Sequence, residues 1–166
     1  MSKTNLAKLL PVLLSFFVMG FVDIVTIATS YVKQDFALSD TWANLLPLLV
    51  FFWFAAISIP TGILMGRLGR KNTVLLSAVI TAVGMLLPLV DYTFPIVLTA
   101  FALLGAGNTI LQVSLNPLLM SVVPLDKFTS NLTFGQFIKA ICSFLGPIIE
   151  GVASAQFRNW QQNLPN

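Results

Sequence analysis

The chain has 166 residues, 57% of them hydrophobic and only 9% charged, with nine Lys and Arg against six Asp and Glu. An ordinary soluble domain carries roughly 25% charge, so this is a membrane protein, and its cations, densest at Arg67, Arg70 and Lys71, are too sparse to hold a nucleic acid. With no histidine and the single cysteine Cys142, it can form no internal disulfide, no usual zinc site and no Ser-His or Cys-His nucleophile pair, so neither a metal nor another cofactor is expected.

About 20 apolar residues cross the hydrocarbon as a helix, and hydropathy predicts five such spans, at 9–32, 42–65, 73–90, 95–122 and 131–155. The opening MSKTNLAKLLPVLLSFF has the layout of a signal peptide, but the apolar run continues through Val32 with Asp23 inside it, which predicts a retained first span. After KQDFALSD, the second span starts at Trp42, placed for the interfacial aromatic belt. Trp53 falls near its middle, where it either stacks on a sugar face or meets lipid. Ser58, Gly62 and Gly66, four apart on the same span, suit close helix packing, as do Gly105, Gly107, Gly135, Gly146 and Gly151 further on.

The loop GRLGRKN leads to an uncharged third span, TVLLSAVITAVGMLLPLV, and DYTF leads to the fourth, which contains NTILQVSLNP. There Asn108, Gln112 and Asn116 are four apart, and since each step of four on a helix drifts only about 40°, the three amides share one stripe. Beyond PLDKFTS, the fifth span carries Gln136, Lys139, Ser143, Gly146 and Glu150 at spacings of three and four, again one face. The polar tail 156–166 ends without a sixth apolar run, which predicts truncation before another span; residues 1–155 would form the bundle. Short connections make neighbouring helices antiparallel. The need to satisfy every backbone group internally makes an all-α polytopic bundle the default.

Cations accumulate in cytoplasmic loops. An N-terminus inside places Lys3, Lys8, Arg67, Arg70, Lys71 and Lys127 in the cytoplasm and only Lys33 and Arg158 outside. An ionisable group in mid-bilayer costs about 2.5–3.5 kcal/mol on insertion scales and usually faces a cavity or a partner. Spans one, four and five are therefore expected to line an interior, with the third outside them. Taking each span's middle as the bilayer centre puts Gln112 and Lys139 level, with Asp23 to the outer side. Two readings of the amides stay open: hydrogen bonding to a neighbouring helix, or contact with a substrate. A membrane aspartyl enzyme would need two facing carboxylates, and Asp23 alone is deeply embedded, so no enzymatic chemistry is expected.

The segment Gly62-Ile63-Leu64-Met65-Gly66-Arg67-Leu68-Gly69-Arg70-Lys71 resembles the loop signature of the major facilitator superfamily, G-x-x-x-D-R-x-G-R-K/R, with Gly66 where that family usually has Asp. Together with Asp23 in GFVDIV, GAGNTILQVSLNPLL and NLTFGQFIKAICSFLGP, it is similar to the fucose, galactose and glucose proton symporters of that superfamily. The resemblance implies twelve spans in two halves, of which this chain is an incomplete N-terminal half lacking its C-terminal partner. It also implies that Asp23 is the protonatable or sugar-binding acid, while the family's second acid falls on Gln112, which carries no proton. Either Asp23 titrates alone, or Lys139 tunes it, or another ion drives transport. Gly20-x-x-Asp23 and Gly105-x-x-Asn108 form a weak internal echo in keeping with inverted repeats.

The expectation is a plasma-membrane transporter, or inner-membrane in a bacterium, carrying a neutral sugar with protons by alternating access. Its substrate and coupling residues would be Asp23, Asn108, Gln112, Asn116, Gln136 and Lys139, and its loop motif Gly62, Arg67, Gly69, Arg70 and Lys71. The alternatives are a facilitator of another substrate class and a truncated membrane protein without transport of its own.

Overall fold

The computed structural model describes residues 6–23 and 25–162, without the side chains of 6, 21, 23–28, 150 and 153–162. The described residues form six helices and no strand: α1 (Leu6–Asp23), α2 (Val25–Asp35), α3 (Asp40–Leu68), α4 (Arg70–Val90), α5 (Phe94–Val122) and α6 (Leu125–Gln162). Four are long and apolar enough to cross a membrane, namely α3, α4, α5 and Leu125–Ile149 of α6, and α1 holds a shorter apolar stretch at Ala7–Gly20.

The connections are tighter than the polar stretches of sequence suggest. Gly69 alone separates α3 from α4, at φ +81°, a left-handed conformation that side-chain-bearing residues adopt only under strain. Its N–H donates to the Met65 carbonyl at 3.0 Å, and its own carbonyl accepts from the Thr73 N–H at 3.1 Å, so one residue both ends a helix and starts the next. Between α5 and α6 only Val123 and Pro124 intervene. Val123 is extended, at φ −114° and ψ 149°, because the proline ring after it excludes the helical region. The stretch PLDKFTS, read from sequence as a connection, is thus mostly the first turns of α6, with Asp126 in the first turn favourably placed on the helix dipole. Polarity marks where a chain leaves the membrane, and a helix is free to continue past that point.

α5 is the axis of the bundle, with thirteen buried residues. At one end Leu111, Leu115, Leu119 and Val123 pack with Leu9, Val12, Phe16 and Met19 of α1 and Val74 of α4. At the other end Val97 and Phe101 pack with Val32 of α2 and Leu46 of α3. α4 turns a face of small residues, Thr73, Ser77, Thr81 and Gly84, inward on α5. α1 crosses α6 closely: a Cβ on Gly20 would stand 2.7 Å from both the Lys139 carbonyl oxygen and the Cys142 Cβ, and one on Gly135 would stand 2.6 Å from the Phe16 ring.

Other glycines do not match the packing expectation. A Cβ on Gly62, Gly66 or Gly151 would meet nothing within 4 Å, because all three lie on exposed parts of α3 and α6. Regular spacing of small residues shows that a face is flat. It does not show that a helix covers it.

Candidate functional site

Between the two apolar clusters of α5 lies a cavity of about 440 Å3, lined by Val22 of α1, Val50, Phe51 and Phe54 of α3, Gly105, Asn108, Thr109 and Gln112 of α5, and Lys139 of α6. Its volume is within the roughly 300–1,000 Å3 of small-molecule sites. α4 contributes no lining residue. Gly105 sits against α3: a Cβ there would be 2.8 Å from the Val50 Cα and 3.4 Å from Trp53 Cδ1. That approach of the two helices brings the phenylalanines opposite the amide stripe.

Of the residues singled out from sequence, Asn108, Gln112 and Lys139 meet at this cavity. Asn108 is 6% exposed and its Oδ1 has no hydrogen-bond partner among the described residues. Gln112 and Lys139 are half-buried. Asn116 and Gln136 are exposed and line no part of the cavity. The drift of about 40° for each step of four accounts for Asn116: two steps carry the stripe from the buried side of α5 to its open edge. Asp23 follows the lining residue Val22 on α1; its side chain, like that of Glu150, is outside the described residues. Trp53 is half-buried beside Gly105 rather than in the lining, and its indole N–H has no partner among the described residues.

Sequence reasoning did not single out the apolar wall. In the run Phe51-Phe52-Trp53-Phe54 every residue is an equal candidate, and only the turn of α3 selects Phe51 and Phe54. Thr109 was also passed over. Its hydroxyl donates to the Gly105 carbonyl at 2.8 Å. An amide supplies both donors and an acceptor, so Asn108 and Gln112 can match hydroxyl groups, while Phe51 and Phe54 offer apolar surface. Among the described lining residues, Lys139 is the ionisable one.

The loop-motif residues stand apart from this cavity. Gly62 and Arg67 belong to α3, Gly69 is the break, and Arg70 and Lys71 open α4; all are exposed. The missing aspartate at Gly66 is not a matter of space, since nothing would meet a Cβ there. At the opposite end of α3, Lys33 pairs with Asp40, and the Tyr92 hydroxyl donates to Asp35 at 2.7 Å. Phe36 is 5.1 Å from the Tyr92 ring and 5.9 Å from Phe94, and Trp42 meets Phe94 edge-on at 6.1 Å. Partial burial, and next the Asp35 carboxylate that accepts its hydrogen bond, push the Tyr92 phenol up to about 12.

The family profile of the Major Facilitator Superfamily matches residues 12–162. The chain belongs to this family of multi-pass membrane transport proteins. Two curated relatives, each named glucose/galactose transporter, come from Brucella abortus biovar 1 (strain 9-941) and Brucella abortus (strain 2308). Each is 27% identical over 143 residues, which is 84% of this chain and 35% of the relative. The chain therefore spans about a third of the length of the curated relatives it matches. No solved structure matches it.

Proposed function

We propose that the chain is the five-span N-terminal part of a plasma-membrane secondary transporter, with a cytoplasmic N-terminus, that carries a neutral hexose or deoxyhexose such as fucose, galactose or glucose with protons. The observation that carries this reading is the convergence of Asn108, Gln112 and Lys139, from two helices, on one cavity midway between two apolar clusters. The name of the Brucella relatives supports the sugar. An unpaired buried polar group costs about 1–3 kcal/mol, so the orphaned Asn108 oxygen gains from a hydroxyl donor. Asp23, next in sequence to the lining residue Val22, takes up the proton, and the bundle rocks against the remaining half to expose the site to each side in turn. No covalent chemistry is involved.

The test is uptake of labelled fucose, galactose and glucose into vesicles by this chain and by a longer reading frame that contains it. Asp23→Asn is expected to abolish accumulation against a gradient while sparing insertion, and proton-driven uptake retained in that variant would overturn the coupling role. One observation favours a second reading: the ionisable group among the described lining residues is a cation, which suits an anionic substrate. Competition by gluconate stronger than competition by glucose would decide for it.

A further inference from the structure

Two atoms of opposite hydrogen-bonding character stand beside the cavity without partners. Among the described residues, four buried side-chain polar atoms make no hydrogen bond: Thr29 Oγ1, Trp53 Nε1, Thr81 Oγ1 and Asn108 Oδ1. Two of these belong to hydroxyls, which both donate and accept: Thr29 on α2, and Thr81 on the α4 seam against Gly107. The other two have fixed and opposite needs, since an indole N–H only donates and a carboxamide oxygen only accepts. A buried Trp N–H ordinarily finds an acceptor, and each buried polar group left unpaired in a native fold calls for an explanation.

Gly105 brings this donor and this acceptor together. A Cβ there would stand 3.4 Å from Trp53 Cδ1, the ring carbon bonded to Nε1, so the corner of the indole that carries the N–H lies beside Gly105. Asn108 is three residues further along α5, on the same side of the helix, where side chains start about 5–6 Å apart. Gly105 and Asn108 both line the cavity, and Trp53 stands between the lining residues Val50 and Phe54 of α3. With no side chain at 105, nothing at that position screens the indole corner from the amide.

We propose that one hydroxyl group bridges the two, accepting from Trp53 Nε1 and donating to Asn108 Oδ1, which makes Trp53 a binding residue of the cavity through its N–H. A hydroxyl answers both atoms at once, whereas a carboxylate would answer only the indole and an ammonium only the amide. In the empty cavity the hydroxyl is that of water; in the filled one it belongs to the substrate, and this second half rests on the sugar reading above. Both atoms are closed to solvent in this structure, so taking up the bridge requires the amide and the indole corner to part by side-chain rotation.

Two measurements test the bridge. The first needs no sugar: the full chain in detergent micelles carries Trp42→Phe and Trp160→Phe, so that isotope-labelled Trp53 gives the one indole signal. Its N–H proton is expected to show a cross-relaxation peak to water that disappears in Asn108→Leu. No such peak in the parent, or a peak that Asn108→Leu leaves unchanged, would overturn the bridge; a direct bond between indole and amide would give the first result. The second uses the longer reading frame in vesicles, where uptake of the labelled sugar is competed with that sugar and with analogues each lacking one hydroxyl. One analogue is expected to bind the parent about tenfold more weakly than the intact sugar. In Trp53→Phe the intact sugar should fall to the level of that analogue, while the analogue loses little more, because both changes remove the same contact. If Trp53→Phe weakens the sugar and every analogue alike, or weakens none of them, the role of Trp53 in the site is overturned. The expected water peak in a protein that binds no hexose would count against the sugar reading alone.

Discussion

The two polar seams of α5 are built from different chemistry. Against α4 the polar groups are hydroxyls, and most are satisfied within their own helix: Thr73 donates to the Gly69 carbonyl at 2.9 Å, Ser77 to Val74 at 2.7 Å and, on α5 itself, Ser114 to Ile110 at 2.6 Å. Against α1, α3 and α6 the polar groups are Asn108, Gln112 and Lys139, and there the helices part to leave a cavity. A hydroxyl returns its one hydrogen to a carbonyl a turn earlier and is then inert to its surroundings. An amide has two donors and an acceptor, more than its own helix can match. The contrast teaches that on the α4 seam most hydroxyls report packing, whereas the Asn108 amide at the cavity still has a group to be bound.

The strongest way to break that contrast is to disturb the hydroxyl seam. A Cβ on Gly107 would stand 2.3 Å from Thr81 Oγ1 and 3.0 Å from the Thr81 backbone nitrogen. Backbone cannot swing aside as a side chain can, so Gly107→Val should cost at least the about 1–3 kcal/mol of ordinary overpacking. Loss of thermal stability in detergent-solubilised chain would show it; an unchanged melting temperature would mean that α4 and α5 are not held this closely.

The opposite outcome is expected on the cavity side. Asn108→Leu removes an amide whose Oδ1 has no partner among the described residues, so stability should be unchanged or raised. Sugar affinity should fall about tenfold, equivalent to ~1.4 kcal/mol, in the longer reading frame assayed in vesicles. A destabilised variant with normal uptake would place Asn108 with the structural hydroxyls. Smaller still is Ser114→Ala: the hydroxyl is fully buried but bonded only to its own helix, so stability should move by less than about 1 kcal/mol and uptake should not change.

How far the sequence could be read follows the same physics. Long apolar runs are visible without tertiary information, and α3, α4 and α5 begin and end within a few residues of the runs at 42–65, 73–90 and 95–122. The stripe of Asn108 and Gln112 is legible too, because four-residue spacing survives any packing. Its far end is not: whether Asn116 faces a cavity or an open edge depends on a drift of about 80° and on how α6 leans, and α6 touches α5 far less than α3 and α4 do. Gln136, Lys139 and Gly146 form one face by spacing, yet they are exposed, half-buried and buried respectively, because α1 crosses α6 along only one side of that face. Phe51 and Phe54 could not be picked out, since an apolar wall of a polar cavity has the same composition as a lipid-facing surface.

The smallest predicted effect lies outside both seams and serves as their control. Tyr92, in the connection between α4 and α5, holds Asp35, the last residue of α2, with a single hydrogen bond of 2.7 Å. Its phenol is raised from the ordinary 10 to about 12, so the folded state favours the neutral, donating form. The stability this adds is fully present below pH 10 and is lost as pH rises toward and through 12, where a phenolate would face the Asp35 carboxylate. Comparing melting temperatures of the parent chain and Tyr92→Phe from pH 9 to pH 12 cancels every titration that the two share. The parent should be the more stable below pH 10 and should lose that advantage by pH 12. An advantage that persists at pH 12 would show that it does not depend on the phenolic proton, since Tyr92→Phe keeps the ring beside Phe36.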